Sequence, residues 1–242
     1  MSKDVTIGLV VPFAEDKVPA EGLIMYPDVS FVARGVGVRA LTPEGYAPAM
    51  AAIVPAAVAL AEQGVAAIMV IGTSLTFYLG AAAHRRLLDD LAAATGLPVS
   101  TMSAAVVDGL RAVGAKKVAV ATAYDGEVNR RLKDFLTDED FAVRAIDGFG
   151  ITDFGGPGRM SERDILDLGG RVYEEARDAK ALLISCGGLR TLGVAAPFEA
   201  RHGIPVVAST QAAFWAALRL VGASGRLAGF GRLLEESVEP VH

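Results

Sequence analysis

Short apolar runs alternate with longer amphipathic segments along almost the whole chain. The apolar runs lie at 5–11, 66–71, 118–121, 181–185 and 204–207 and consist mainly of Val, Ile, Leu and Ala. The segments between them have the length and spacing of amphipathic helices: 45–63, 81–94, 127–136, 161–176 and 211–221. Almost entirely apolar strands are typical of parallel sheets that helices cover on both faces. The pattern therefore predicts an α/β fold with a parallel sheet.

An internal repeat indicates that the chain contains two related halves. The motif Gly-(Leu/Ile)-Pro-Val occurs at 96–99 and at 203–206, and an Ala-Ala pair and a Leu-Arg-x-Val-Gly segment follow each copy. The apolar strand upstream of the first copy runs into Gly72, and the one upstream of the second runs into Cys186. Ligands of parallel sheets bind beyond the carboxyl ends of the strands. If the halves pack about a pseudo-twofold axis, Gly72 and Cys186 will face each other across one cleft.

Composition excludes several classes of protein. With 52% hydrophobic and 21% charged residues over 242 positions, the chain can bury a large core and is not disordered. The net charge of −5 disfavours nucleic acid as a partner. The densest basic cluster, Arg130, Arg131 and Lys133, has Glu127 and Asp134 beside it, so we interpret it as a solvated helix face.

Cysteine and histidine usage favours the cytoplasm and disfavours a metal centre. One cysteine cannot form an internal disulfide, and three histidines make a zinc site hard to assemble. The apolar run at 5–13 is too short for a signal peptide, and no uninterrupted apolar stretch of 18 residues follows. We expect a cytoplasmic protein without a membrane partner.

Cys186 is the first candidate catalytic residue. It is the only thiol in the chain, and it lies where a strand ends, directly before Gly187 and Gly188. A free cysteine is often only a small buried hydrophobe, so a structural role is the alternative. The two glycines, which expose backbone N–H groups, favour a role in chemistry.

Other strand ends supply hydrogen-bond donors. Thr73 and Ser74 carry hydroxyls, Tyr124 carries a phenol, and the amides of Ser74 and Gly187 add backbone donors. Together they suit a carboxylate whose negative charge grows during a reaction. Thr73 or Ser74 could instead cap the following helix, and Tyr124 could be a ring at the cleft edge.

Five motifs resemble those of the arylmalonate decarboxylase family, part of the aspartate/glutamate racemase superfamily. The resemblance extends in the same order from Thr6 to about Glu235. The motifs are Val11-Pro12, Thr42-Pro43-Glu44-Gly45-Tyr46, Gly72-Thr73-Ser74-Leu75, Ala121-Thr122-Ala123-Tyr124 and Ser185-Cys186-Gly187-Gly188-Leu189.

The resemblance implies a fold of two similar Rossmann-like domains. Each would have a four-stranded parallel sheet, and the active site would lie between the domains. The implied division is 1–113 with 212–242 for one half, and 114–211 for the other. The oligomeric state stays open.

The resemblance also implies roles for residues. Cys186 would be the proton donor, with Gly72 opposite it. Thr73, Ser74, Tyr124 and the amides near Ser74 and Gly187 would form an oxyanion pocket for a small carboxylic acid. Substrate would also contact Pro12, Tyr46, Val38, Leu41 and Leu75.

Two features depart from the family pattern. Phe13 stands where the family has a second proline, and the stretch 149–160 is unusually rich in glycine. That stretch is either an ordinary surface loop or a lid with glycine hinges that excludes water.

The single thiol favours a cofactor-independent decarboxylase. A racemase needs one group on each face of the carbanion, whereas a decarboxylase needs only one acid, because departing CO₂ leaves the electron pair behind. An ordinary thiol, with a pKa near 8.5, is protonated at neutral pH and can be that acid. The alternatives are a racemase or a maleate isomerase-like enzyme that replaces the missing thiol, and a non-catalytic carboxylate-binding protein.

Weaker signals do not change this prediction. Gly35-Val36-Gly37 only half matches a dinucleotide motif, and no phosphate-binding loop ending in Lys-Ser or Lys-Thr is present. We place His84 on a helix surface and His202 near a helix end, neither with a catalytic role. A cysteine hydrolase is disfavoured because Ile184 occupies the place of the glycine two residues before such a nucleophile.

Overall fold

Two four-stranded parallel sheets form the framework of the protein. The computed structural model describes residues 5–235. The first sheet has the strand order β2-β1-β3-β4 and the second the order β6-β5-β7-β8. The strands are β1 (Thr6–Val11), β2 (Ser30–Gly35), β3 (Ala67–Val70), β4 (Val99–Thr101), β5 (Lys117–Thr122), β6 (Ala142–Gly148), β7 (Ala181–Ser185) and β8 (Val206–Ala208). The shared strand order confirms the two related halves and the α/β class.

Helices cover the faces of both sheets. The helices are α1 (Ala20–Met25), α2 (Pro43–Ala61), α3 (Thr73–Phe77), α4 (Ala81–Thr95), α5 (Met102–Ala112), α6 (Gly126–Asp138), α7 (Glu162–Glu175), α8 (Ala195–His202), α9 (Ser209–Leu220) and α10 (Arg232–Glu235). The residues of β3 and β7 are completely buried, which explains their uninterrupted apolar sequences.

The register is equivalent in the two sheets. In the first sheet Ile7 of β1 pairs with Phe31 on one side and Ala67 on the other. In the second sheet Val118 of β5 lies between Val143 and Ala181. In each sheet the third strand in chain order lies next to the first, so β3 and β7 occupy the same place.

The contact between α5 and α9 joins the two halves. Each helix directly follows the last strand of its own sheet, β4 or β8, and the two helices pack closely against each other. Residues that follow β3 and β7, Gly72 and Cys186 among them, line one cavity.

Helix α2 is long and apolar enough to cross a membrane by length and composition alone, and no other helix of the described residues passes that test. Its inner side chains Ala49, Ile53 and Leu60 are completely buried, and Leu60 lies against Gly8 of β1. These contacts place α2 in the helical layer over the first sheet.

The structure corrects the prediction for His84. This side chain is 4% exposed, and its Nε2 lies 2.7 Å from the Oγ1 of Thr101. The ring also packs edge-on against Phe135 of α6, with 5.4 Å between ring centroids. The neighbouring Arg85 and Arg86 suggested a surface helix, but His84 lies on the opposite face of α4, toward the second half. His202, in contrast, ends α8 as predicted.

The basic cluster of α6 is a solvated face, as the sequence indicated. Arg130 pairs with Glu127 and Asp134, and Arg131 pairs with Glu127. The division of the chain at 113 and 211 stays a prediction, and its end segments 1–4 and 236–242 lie outside the described residues.

Candidate active site

A cavity of about 290 Å³ lies at the carboxyl ends of β3 and β7. Every site residue named from the sequence lines it. The polar group comprises Cys186, Thr73, Ser74, Tyr124 and Tyr46, and the others are Gly72, Gly187, Pro12, Val38, Leu41 and Leu75. Residues that the sequence did not point to also line the cavity, among them Glu21, Ile71, Phe154 and Pro157, and Gly188, noted beside Cys186, lines it as well.

Cys186 holds an unusual backbone conformation at the end of β7. Its φ is 149°, which lies in a region that residues other than glycine rarely adopt. The residue is 7% exposed and lines the cavity. Burial raises the pKa of the thiol to about 11, even though hydrogen bonds from the Gly188 amide, the Tyr124 hydroxyl and the Leu189 amide favour the thiolate. At neutral pH Cys186 is therefore a protonated thiol with donors ready for its anion.

Tyr124 brings a neutral hydroxyl to the same place. The side chain is 1% exposed, and burial raises its pKa well above the ordinary value, with the nearby Cys186 sulfur adding to the effect. Its hydroxyl lies 3.5 Å from the Oγ of Ser185, and its ring packs edge-on against Phe77. Tyr124 is consequently a fixed donor inside the site and not a ring at the cleft edge.

The hydroxyl of Ser74 is oriented by Tyr46. The Tyr46 hydroxyl donates to the Oγ of Ser74 over 2.8 Å, and burial raises the pKa of Tyr46, which keeps its proton in place. Since the Ser74 oxygen already accepts this bond, its own proton can be donated, either to the Tyr124 oxygen or to a ligand. From the sequence Tyr46 was expected only as a substrate contact, and its link to Ser74 was not foreseen.

Thr73 bonds across the interface of the two halves. Its hydroxyl donates to the Oγ of Ser209 over 2.9 Å, and both side chains are buried. The N-cap of α3 is Gly72 and lacks a side-chain hydrogen bond, so neither Thr73 nor Ser74 caps that helix. Thr73 can hold a carboxylate when its hydroxyl turns from Ser209 to the ligand or when Ser209 becomes the donor of the pair.

Apolar residues make up much of the remaining lining of the cavity. They include Pro12, Val38, Leu41 and Leu75. Among the lining residues of the described chain, Glu21 is the only one with a carboxyl side chain, and no Lys, Arg or His is among them. Because no cation faces the cavity, neutral hydroxyls and amides must hold any bound carboxylate.

The glycine-rich stretch reaches across the cleft from the second half. The amide of Leu41 donates to the carbonyl of Thr152 over 2.9 Å, and Ala40 forms an antiparallel bridge with Asp153. The ring of Phe154 meets Phe13 edge-on, with 6.1 Å between centroids. The stretch therefore contributes a wall of the cavity that the sequence could not assign.

Comparison with known proteins agrees with this geometry. The family model for arylmalonate decarboxylase matches residues 7–234. The arylmalonate decarboxylase of Bordetella bronchiseptica is 45% identical over 233 residues, which is 96% of this chain and 97% of that protein. The chain belongs to the arylmalonate decarboxylase family.

A solved structure from the arylmalonate decarboxylase family superposes closely on this one. It is a liganded variant with one glycine replaced by cysteine and one cysteine by serine. Its TM-score is 0.94 at 44% identity, over 96% of this chain and 100% of that chain. A maleate isomerase of Nocardia farcinica is more distant, 28% identical over 95% of each chain. The identity to arylmalonate decarboxylase supports a carboxy-lyase better than an isomerase.

The described residues supply neither a histidine beside Cys186 nor a cluster of metal-ligating side chains. Within residues 5–235 neither His84 nor His202 lines the cavity, so this part of the chain places no histidine beside Cys186 for cysteine hydrolase chemistry. Within residues 5–235, no group of three or more His, Cys, Asp or Glu side chains is placed to hold a metal ion.

Proposed function

We propose that the protein decarboxylates malonates that carry an aryl or alkenyl substituent, and that Cys186 protonates the resulting carbanion. The observation that carries the proposal is the arrangement of the cavity. The cavity brings the hydroxyls of Ser74 and Tyr124 and a single protonated thiol together with the apolar side chains of Val38, Leu41 and Leu75.

The first step breaks the bond between the α-carbon and one carboxylate. The retained carboxylate lies among the hydroxyls of Thr73, Ser74 and Tyr124 and the amides near Ser74 and Gly187. The departing carboxylate faces the apolar wall, which cannot solvate its charge but accommodates neutral CO₂. The electron pair left behind spreads onto the retained carboxylate as an enediolate, whose growing charge those donors stabilise.

The second step forms a bond between the α-carbon and a proton. The thiol of Cys186 gives its proton to one face of the enediolate and becomes a thiolate, and the product is a monocarboxylate of one handedness. The thiolate accepts hydrogen bonds from Tyr124, Gly188 and Leu189 until water reprotonates it. Because the cavity contains one thiol, one face receives the proton.

An isomerase or racemase is the second candidate, favoured by the likeness to maleate isomerase. It would need another group on the face of the carbanion opposite Cys186. The family resemblance puts Gly72 at that place, and Gly72, which lines the same cavity, has no side chain. A non-catalytic carboxylate-binding protein is a third. We further propose a soluble cytoplasmic location, no metal or organic cofactor, and no nucleic acid or membrane partner.

A panel of malonates with aryl, alkenyl and alkyl substituents tests the proposal. We expect CO₂ release and a single product enantiomer from phenylmalonate and its methyl derivative. Cys186→Ala should lower product formation by about a hundredfold or more, since general acid catalysis contributes roughly 10²–10⁴ in rate. Cys186→Ser keeps nearly the same shape with a much weaker acid, and it should be similarly slow.

Three results would contradict the proposal. Wild-type turnover by a folded Cys186→Ala variant would remove the thiol from the mechanism. Exchange of the α-hydrogen with solvent deuterium, without CO₂ release, would indicate the isomerase or racemase. Tight binding of acids without any turnover would indicate a binding protein.

A further inference from the structure

Two buried hydroxyls hold equivalent places in the two halves, and neither lines the cavity. Ser103 is the second residue of α5, and Thr210 is the second residue of α9. Their exposed fractions are 0% and 2%. The repeat that relates the two halves therefore places one hydroxyl behind each of the two strand ends that form the site.

Each hydroxyl donates to a backbone carbonyl one residue beyond the strand-end position. The Oγ of Ser103 donates to the carbonyl of Thr73 over 2.9 Å. The Oγ1 of Thr210 donates to the carbonyl of Gly187 over 3.4 Å. Since Thr73 follows Gly72 and Gly187 follows Cys186, the two contacts are counterparts.

A bond to a carbonyl also fixes the N–H group of the same peptide. In a planar trans peptide the C=O and the N–H point in opposite directions. The carbonyl of Thr73 points at α5, so the N–H of Ser74 points away from that helix. The carbonyl of Gly187 points at α9, so the N–H of Gly188 points away from α9, and this N–H bonds to the sulfur of Cys186.

Thr76 ties the first of these contacts into a network. Its Oγ1 lies 2.7 Å from the Oγ of Ser103 and 3.1 Å from the carbonyls of both Gly72 and Thr73. When Ser103 donates to Thr73, the hydroxyl of Thr76 can donate to Ser103. The carbonyl of Thr73 thus has two hydroxyls within reach, those of Ser103 and Thr76, and neither of these residues lines the cavity.

We propose that Ser103 and Thr210 are positioning residues. Each fixes the orientation of one peptide group, so that the N–H of that peptide points toward the reacting groups in the cavity. Ser103 orients the N–H of Ser74 toward the retained carboxylate. Thr210 orients the N–H of Gly188 toward the thiolate that Cys186 becomes. The role of Ser103 rests on the proposed function, whereas that of Thr210 can be measured without substrate.

The pKa of the Cys186 thiol tests the positioning role proposed for Thr210. In Thr210→Val the side chain keeps its shape but loses the donor, so the Gly188 amide should hold the thiolate less firmly. We expect the apparent pKa of Cys186 to rise by about half a unit to one unit, which slows alkylation by iodoacetamide about threefold to tenfold at any pH below the pKa. The rate is measured between pH 8 and pH 11.

Two further variants control for general disturbance of the fold. Thr210→Ser keeps the hydroxyl and should restore the wild-type profile. Thr137→Val removes an exposed hydroxyl that donates to the carbonyl of Lys133 over 2.8 Å within α6, and it should leave the thiol unchanged. An unchanged thiol pKa in folded Thr210→Val, or the same change in Thr137→Val, would overturn the assignment.

Steady-state kinetics with substrate test the positioning role proposed for Ser103. Ser103→Ala should lower kcat for phenylmalonate by about tenfold or more with little change in KM, since a misdirected oxyanion donor acts mainly in the transition state. The thiol pKa should stay at its wild-type value. A rise in KM alone, or a shift of the thiol pKa, would contradict the role given to Ser103. If the wild-type protein decarboxylates no malonate, the proposed function is wrong. The thiol pKa of Thr210→Val would still test the role of Thr210, because that measurement needs no substrate.

Discussion

Gly72 and Cys186 both have a positive φ angle at the ends of equivalent strands. Their φ angles are 120° and 149°. Glycine adopts such angles freely, whereas another residue pays about 1–3 kcal/mol in strain. Only the Cys186 side of the pair is therefore strained, and this strain accompanies the placement of a thiol in the cavity.

The strain predicts an unusual order of stability among variants. At an ordinary position a glycine variant is less stable than an alanine variant by roughly 0.5–1 kcal/mol. Because alanine keeps the Cβ atom at a φ of 149°, we expect Cys186→Gly to be at least as stable as Cys186→Ala. Urea unfolding of the two variants measures the difference. The ordinary order would show that the backbone of Cys186 is unstrained.

A second thiol should change the reaction catalysed. In Gly72→Cys the new Cβ would lie 3.2 Å from the Cβ of Leu75, so a shift of a few tenths of an ångström accommodates it. With thiols on both faces of the carbanion, we expect slower decarboxylation and some racemisation of an arylpropionate. Chiral chromatography of the arylpropionate measures the racemisation.

A matched control separates this gain from backbone strain. Gly64 also has a positive φ, 79°, with open space around its Cα. Gly64→Cys should carry a similar backbone penalty without racemising the acid. A folded Gly72→Cys variant that does not racemise would count against the opposed placement of positions 72 and 186.

The ring of Phe154 should limit substrate size. It lines the cavity and contacts Phe13, so Phe154→Ala removes a wall and one edge-on ring contact. We expect kcat/KM for phenylmalonate to fall about tenfold, because lost apolar contacts in a pocket are worth roughly 1–3 kcal/mol. For malonates with larger aryl groups, kcat/KM should fall less than it does for phenylmalonate, or should rise. Phe149→Ala, in the same stretch but outside the cavity lining, should leave this preference unaltered.

His84 should make the fold less stable in mild acid. Burial lowers the pKa of its imidazole in the folded protein below the ordinary value of 6.5. The folded state thus binds fewer protons than the unfolded chain, so stability is fully present above about pH 6.5 and falls as pH drops toward the folded pKa. Urea unfolding at pH 8, 7, 6 and 5.5 measures the loss.

Replacement of His84 isolates its share of that loss. His84→Gln can still bond to Thr101 but does not titrate, and it should flatten the pH dependence between pH 7 and pH 5.5. His202 has a pKa lowered in the same direction but is more exposed, so His202→Gln should flatten it less. Equal slopes in wild type and His84→Gln would exclude His84 as the cause.

The sequence by itself determined the α/β class, because the residues of β1, β3, β5 and β7 had to be apolar on both faces to lie between helices. It missed the edge strands β2 and β6, whose residues are only partly buried and therefore follow no clear apolar pattern. The site residues from Pro12 to Gly187 were found through motifs at strand ends and a family resemblance.

Only the tertiary structure decided which groups meet. The bond of Thr73 to Ser209 joins residues 136 positions apart, and Tyr46 reaches Ser74 only because α2 packs over the first sheet. No local pattern encodes such contacts, since they depend on how the two halves pack. The burial of His84 and the wall formed by Phe154 have the same origin. Local sequence specified the strand ends, and packing between the halves made one cavity of them.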